Sequence, residues 1–285
     1  MLLRRGFSRR PIGSRKYKGG IQELLDKGYA DKVLDEGIGA VPGQTWYIPH
    51  HNVVNENKPE KLRIVFDCAV TFGGTSLNKE VLRGPDFTNN LVGVLLRFRE
   101  EQVAVMGDIE GMFYQVRVSP KNHNALHFLW WKNAETGGEI EGYRMCVHLF
   151  GGVWHPSHGS FALRHVAHDH RMNFPEETLQ TVLKNFYADD CLKSVGTTEE
   201  AINIVHSLCK LLALMGFRLT KWISNDRQVL EAIPVEERAK GVKNLDLDCS
   251  SLPVERALGI HWNTDTDQFG IQIKSKQREF TRRCF

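Results

Sequence analysis

Three aspartates are the residues of this chain whose types and spacing could do chemistry together. Asp189 and Asp190 are adjacent at a break between two short apolar runs, which predicts a β-hairpin with an acidic tip. Asp108 directly follows another strand-like run, residues 102–107. If these strands are neighbours, their carboxylates converge and can bind two Mg²⁺ ions, and two-metal sites catalyse phosphoryl and nucleotidyl transfer. The alternative is that Asp-Asp is ordinary turn chemistry.

The elements that must position these aspartates can be read from hydrophobic periodicity. Helices are predicted over residues 21–34, 89–99, 156–170 and 199–215. Hairpins are predicted to pair residues 45–54 with 62–66, and 125–131 with 141–147. Alternating helices and hairpins favour an α+β fold in which helices cover one face of an antiparallel sheet.

Size and composition indicate an ordinary globular protein. The chain has 285 residues, of which 41% are hydrophobic and 25% charged, so it can bury one large core or those of two packed subdomains. No apolar run approaches the roughly 18 residues that suggest a membrane span. The six cysteines are scattered without a Cys-x-x-Cys pair, which predicts reduced thiols rather than disulfides or a zinc site.

The distribution of charge says more than its sum. The net charge is only +3, but the first twenty residues carry seven basic side chains and no acidic one. We expect residues 1–20 to form a disordered basic arm that is able to touch phosphates. The alternatives are a solvated tail, a gene-model boundary or a targeting peptide.

Six segments in chain order resemble the reverse transcriptase domain of Pao/BEL-type LTR retrotransposons, from about Ile21 to the C-terminus. Tyr187-Ala188-Asp189-Asp190 is similar to the family's Tyr-x-Asp-Asp box. The other segments resemble a basic fingers strand, the first palm motif, the loop beneath the incoming nucleotide and two later palm motifs, and they are residues 61–67, 108–116, 150–157, 216–222 and 258–262.

The resemblance implies a right-hand polymerase fold. Residues 21–270 would form the fingers and a palm with an antiparallel sheet, with the fingers extending to about Leu95. Residues 271–285 would begin a truncated thumb. No room is left for the protease, RNase H and integrase that a complete Pol polyprotein carries.

The activity that the resemblance implies is RNA-directed DNA synthesis. A primer 3′-hydroxyl would attack the α-phosphate of a deoxynucleoside triphosphate, with an RNA or DNA template as the partner. Asp108, Asp189 and Asp190 would be the catalytic ligands of two Mg²⁺ ions, which Mn²⁺ could replace. The setting would be a retroelement particle in the cytoplasm, or the nucleus, without a membrane.

Further roles are carried over onto matching positions. Arg63 would clamp the triphosphate together with Lys61, which points to the same strand face, and Gly151 would let backbone approach the nucleotide. Phe113 would exclude a ribose 2′-hydroxyl. Lys221 would lie near the departing pyrophosphate, or is a surface lysine.

Leu258 and Gly259 would contribute to the primer grip. His155 is a departure, since relatives carry a small residue there, and it favours the alternative that the chain is an inactive, truncated relic that at most binds nucleic acid. A viral RNA replicase is a weaker alternative, which Phe113 disfavours.

Two aromatic groups have a simpler explanation. His165, His168 and His170 are expected on an exposed helix surface, because no acid or cysteine is matched to them. Trp130 and Trp131 could stack on bases, but a strand core is the expected place for at least one of them.

Overall fold

A computed structural model describes residues 11–33, 43–55, 58–132, 138–247 and 250–271. The helices are α1 (Pro11–Asp26), α2 (Leu77–Glu80), α3 (Leu91–Arg97), α4 (His155–Asp169), α5 (Glu176–Lys184), α6 (Thr198–Ala213) and α7 (Arg227–Ala232). The strands are β1 (Ala30–Lys32), β2 (His50–Asn55), β3 (Lys58–Phe66), β4 (Val103–Ile109), β5 (His127–Trp131), β6 (Ile140–Met145), β7 (Phe186–Tyr187), β8 (Asp190–Val195), β9 (Leu219–Ser224), β10 (Val254–Ala257), β11 (Ile260–Asn263) and β12 (Gln268–Gly270).

The chain divides into two compact units, each made of two segments. The first unit comprises Met1–Thr88 and Gly111–His165, and the second comprises Asn89–Glu110 and Val166–Phe285. Helices and antiparallel strands occur in both, as the α+β prediction requires. The expected division into fingers, palm and thumb stays a prediction.

The first unit is built on a three-stranded antiparallel sheet in the order β1-β6-β5, accompanied by the β2–β3 hairpin. Both predicted hairpins are therefore present. The side chains of Trp130 and Trp131 are 2% and 3% exposed and pack in the core with Phe66 and Phe128. This burial excludes the pair as a base-stacking platform, because neither ring presents a face to solvent.

The N-terminal helix lies earlier than the periodicity predicts. It runs over Pro11–Asp26 instead of residues 21–34, so it occupies half of the expected basic arm; residues 1–10 lie outside the described part of the chain. Gly28 has a φ of 65°, a left-handed conformation that suits the residue after a helix. The chain then forms β1, which pairs with β6.

The second unit is built on a four-stranded antiparallel sheet in the order β7-β8-β4-β9. The predicted helix α6 begins with a capping box, in which the Thr197 hydroxyl accepts from the backbone N–H of Glu200 and the Glu200 side chain binds the Thr197 N–H. One face of α6 is buried, with Leu208 and Leu211 fully inaccessible to solvent.

The second unit also contains helix α5 and a second, smaller sheet. Helix α5 was not predicted, although Pro175 and two following glutamates are a recognisable helix start. Strands β10, β11 and β12 form a separate three-stranded sheet.

Two expectations from composition can be compared with the structure. Among the described residues, no helix has both the length and the apolar character that crossing a bilayer requires. Cys68, Cys146, Cys191 and Cys209 are free thiols; Cys249 and Cys284 lie outside the described ranges.

Candidate active site

Two of the three aspartates lie directly opposite each other on neighbouring strands of the second unit. Strands β4 and β8 are antiparallel, and their register pairs Asp108 with Asp190. Opposed residues in such a pair place their side chains on the same face of the sheet, with Cβ atoms about 5 Å apart. Residues 104–107 of β4 are buried, whereas Asp108 is partly exposed, so the buried strand presents this carboxylate at its end.

Asp189 lies in the two-residue turn that joins β7 to β8. The other turn residue, Ala188, has a φ of 52°, and tight hairpins of this length require such a left-handed residue. The turn is attached to β4, because the backbone N–H of Ile109 donates to the carbonyl of Asp189 at 2.8 Å. The predicted hairpin with an acidic tip is therefore present, and it lies beside the strand that carries Asp108.

Lys221 places a positive charge beside Asp108, Asp189 and Asp190, which we call the acidic group. Its Nζ lies 2.5 Å from Oδ1 of Asp108. The lysine is in β9 with a φ of 55°, beside a register shift in the β4–β9 pairing between Met106 and Asp108. Lys221 is thus paired with a carboxylate, and its expected position near a departing pyrophosphate stays a prediction.

Within the acidic group, Asp190 has a strongly shifted pKa. Its pKa is raised to about 7, first because burial disfavours the charged form and then because Asp189 and Asp108 carry the same charge. Lys221 acts in the opposite direction. A cation that binds beside this carboxylate therefore stabilises its ionised form.

In the first unit, Phe113 belongs to an aromatic cluster. Its ring packs edge-on against Phe150, with centroids 4.9 Å apart, and lies 5.4 Å from the ring of His155. The cluster rests on α4 at Gly159, where an added Cβ would lie 2.9 Å from Cε1 of Phe113. The ring is half-buried, so it is held firmly while part of it remains accessible.

His155 supports the loop that carries Gly151. Its side chain is 3% exposed. The backbone N–H groups of Leu149 and Gly152 point at its Nε2 and Nδ1, each at 3.1 Å. A neutral imidazole has one acceptor nitrogen, so it accepts one of these hydrogen bonds at a time. The pKa of His155 is lowered to about 3, first by burial and then by the neighbouring His148 and His158.

Gly151 is required by the protein's own packing. It has a φ of 112°, and an added Cβ would lie 2.3 Å from the carbonyl oxygen of Phe66.

The two basic residues expected to bind the triphosphate lie on β3. Arg63 is exposed and paired with Val53, and Lys61 lies two residues earlier on that strand. Lys61, Arg63, Phe113 and Gly151 thus belong to the first unit, whereas the aspartates and Lys221 belong to the second.

Foamy viral proteins are among the solved structures to which this chain is similar. A protease-reverse transcriptase in complex with an RNA/DNA hybrid matches with a TM-score of 0.58 at 16% identity, over 92% of this chain and 27% of that one. The same kind of protein with double-stranded DNA matches with a TM-score of 0.57 at 16% identity, over 90% of this chain and 35% of that one. A selenomethionine-labelled mutant from Prototype Foamy Virus matches with a TM-score of 0.55 at 16% identity, over 75% and 24% of the two chains.

This chain has a reverse transcriptase-like fold. It spans about a third or less of the length of these structures. No protein-family model matches the chain, and no curated protein matches it either.

Within this reverse transcriptase-like fold, the two residues expected in the primer grip form a tight turn. Leu258 and Gly259 have φ values of 50° and 95° and connect β10 to β11, whose first pair is Ala257 with Ile260. Two consecutive left-handed residues are typical of a two-residue hairpin turn. Their contact with a primer stays a prediction.

The chemistry of the acidic group fits Mg²⁺. This ion prefers carboxylate oxygens, and the raised pKa of Asp190 reflects burial first and then repulsion by Asp189 and Asp108, which a divalent cation would relieve. In the described ranges, no three His, Cys, Asp or Glu side chains already surround one point with metal-binding geometry. Asp108, Asp189 and Asp190 are the residues that would hold the ion.

Sequence reasoning missed the importance of Gly107 and Trp222. Gly107 precedes Asp108, and an added Cβ would lie 2.8 Å from the buried Trp222 ring. A glycine inside a predicted strand was the available signal, because it often marks a bulge or a close approach of two chain segments.

The histidine prediction largely agrees with the structure, since His165 and His168 are exposed on α4 and His170 just after it is half-buried.

Proposed function

We propose that this chain is the polymerase domain of a reverse transcriptase, which adds deoxynucleotides to a primer 3′-hydroxyl on an RNA template. The observation that carries the proposal is the position of Asp108 opposite Asp190 on paired strands, with Asp189 in the adjoining turn. The fold shared with foamy viral reverse transcriptases supports it.

The proposed partners are a primer-template duplex and deoxynucleoside triphosphates. Two of the similar foamy viral structures are complexes with double-stranded DNA and with an RNA/DNA hybrid. The exposed Arg63 could provide phosphate contacts, since its planar guanidinium binds phosphate oxygens in pairs.

In the proposed mechanism, Asp108, Asp189 and Asp190 would hold two Mg²⁺ ions, or Mn²⁺ in their place. When bound, these ions activate the attacking oxygen and stabilise the leaving group. The chain's own residues then act by position and charge, as in other phosphoryl transfers. Arg63 and Lys61 orient the triphosphate, and Lys221 lies near the departing pyrophosphate.

The remaining side chains set selectivity and alignment. The held ring of Phe113 would exclude a 2′-hydroxyl, and Gly151 would let the backbone approach the nucleotide. The Leu258–Gly259 turn would contact the primer end. Each role is proposed by resemblance, and the fixed geometry of Phe113 and of the turn supports it.

The proposal also includes the kind of genetic element that encodes this chain. The order and spacing of the six motifs favour the Pol polyprotein of a Pao/BEL-type retrotransposon. The activity would then occur in a retroelement particle in the cytoplasm, or in the nucleus, and the other Pol domains would come from other chains or segments.

Primer extension on an RNA template tests the proposal. We expect Asp189→Ala to abolish extension while template binding is kept, because Lys and Arg contacts to phosphates dominate affinity. The control is Asp26→Asn, which alters an exposed carboxylate of α1. Template binding without extension by the unaltered chain would favour the inactive relic, and equal extension by Asp189→Ala would contradict the metal role.

A further inference from the structure

The backbone around Lys221 is bent in a way that directs this side chain toward Asp108. A non-glycine residue in the left-handed region is uncommon, because its Cβ crowds the backbone there. Lys221 adopts that conformation within β9, where the pairing with β4 shifts register. We call this register shift the bulge. The next residue, Trp222, is 1% exposed, and its ring packs on Gly107, so the contact between the two residues holds the bulge in place.

The resulting contact is between opposite charges at the proposed metal position. Lys221 Nζ lies 2.5 Å from Asp108 Oδ1, with side chains that are 56% and 24% exposed. Asp108 is paired in register with Asp190, so the ammonium group reduces repulsion within a group of three carboxylates. A divalent cation at Asp108 would compete with the ammonium group of Lys221 for this carboxylate.

We propose that Lys221 is a tethered counter-ion for Asp108, which has to leave this carboxylate before a divalent cation binds there. A metal ion that binds Asp108 then replaces the ammonium group of Lys221, and we call this replacement the exchange. The released ammonium group becomes available to a phosphate in the same site. The inference rests on the proposed metal-binding role of Asp108 and adds to it a residue that sets the affinity.

The exchange predicts how metal affinity depends on Lys221. Removing the competing ammonium group in Lys221→Gln should tighten Mn²⁺ binding about threefold to fivefold, as suits a partly exposed ion pair. Lys193→Gln is the matched control, since it removes the same charge from β8, where Lys193 pairs with Glu177 at 3.3 Å. This control should leave the affinity unchanged.

The experiment measures Mn²⁺ affinity by electron paramagnetic resonance at pH 7 and fixed ionic strength, without nucleic acid. A double-mutant cycle separates the direct contact from the general field of the lysine. In the Asp108→Asn background, Lys221→Gln should no longer change the affinity. A change of the same size in both backgrounds would overturn the proposal, and so would unchanged or weaker binding in Lys221→Gln.

The readout also separates this inference from the proposed function. Mn²⁺ binding that is lost in Asp189→Ala but insensitive to Lys221→Gln would overturn the exchange and leave the metal site standing. Binding that is insensitive to both Asp189 and Lys221 would overturn the site and the exchange together. Neither result depends on whether the chain extends a primer.

Discussion

The buried imidazole of His155 and the ring of Phe113 form one structural group. His155 is surrounded by the 149–152 loop and contacts Phe113, so it fixes both the loop and the aromatic ring. From sequence, this histidine counted against activity because it replaces a small residue. In the structure it is buried, so its size is accommodated within the core of the first unit.

Phe113 offers a test at the level of a single residue. We expect Phe113→Val to reduce the preference for deoxynucleotides over ribonucleotides by about tenfold or more, because removing the ring makes room for a 2′-hydroxyl. The measurement compares incorporation efficiencies for the two nucleotide types. Phe161→Val is the control, since that ring is exposed on α4. An unchanged preference in Phe113→Val would exclude the ring as the selective element.

At the level of elements, the β4–β9 bulge determines where Asp108 and Lys221 meet. Gly107 lies against the Trp222 ring so closely that no side chain fits between them. The bulge and this contact occur at the same place in the pairing, between Met106 and Asp108. The geometry of the acidic group therefore depends on a glycine that has no chemistry of its own.

Gly107→Ala should consequently destabilise the protein by about 1–3 kcal/mol, because the new methyl group overpacks a buried ring. Denaturant unfolding would measure this. Gly142→Ala in β6 is the matched control, since a Cβ there would lie 3.7 Å from Val33, an ordinary contact. Equal stability of the two variants would show that Trp222 can move away and that the bulge is not fixed.

Sequence patterns predicted the elements with clear local signals. The hairpins at 187–190 and 125–147 follow from apolar runs separated by turn residues, and α6 follows from its apolar stripe and capping residues. The start of α1 was missed because basic residues at 15, 16 and 18 suggested a solvated arm, whereas Tyr17 among them is buried. Tertiary burial decided this helix, and local charge did not reveal it.

The site was predictable in its residues but not in its contacts. The three aspartates are recognisable from spacing, since strand ends and a hairpin tip collect at one sheet edge. The Lys221–Asp108 pair depends on a register shift and a left-handed residue, which no pattern of residue types specifies.

At the scale of the whole molecule, buried histidines make folding depend on pH. In the first unit, burial lowers the pKa of His50 and His148 to about 4 and that of His155 to about 3. Below the unfolded value of about 6.5, the unfolded chain binds more protons than the folded one. Stability from these groups is therefore complete above pH 6.5 and is lost as the pH falls toward the folded values.

We expect the free energy of unfolding to fall by about 2–3 kcal/mol per buried histidine between pH 7 and pH 4.5. His155→Gln should flatten this dependence, because one titrating group is removed, even if the variant is less stable at every pH. His165→Gln is the control, since that side chain is exposed on the same helix. Identical slopes for the unaltered chain and His155→Gln would contradict the argument.

Under the proposed function, carboxylates on paired strands of the second unit catalyse nucleotide addition. The most direct measurement is a single-turnover incorporation of one deoxynucleotide into a preformed complex with an RNA template and DNA primer, comparing the unaltered chain with Asp108→Asn. We expect a rate lower by about a hundredfold or more in the variant, with primer-template affinity kept. A similar rate in both proteins would contradict it.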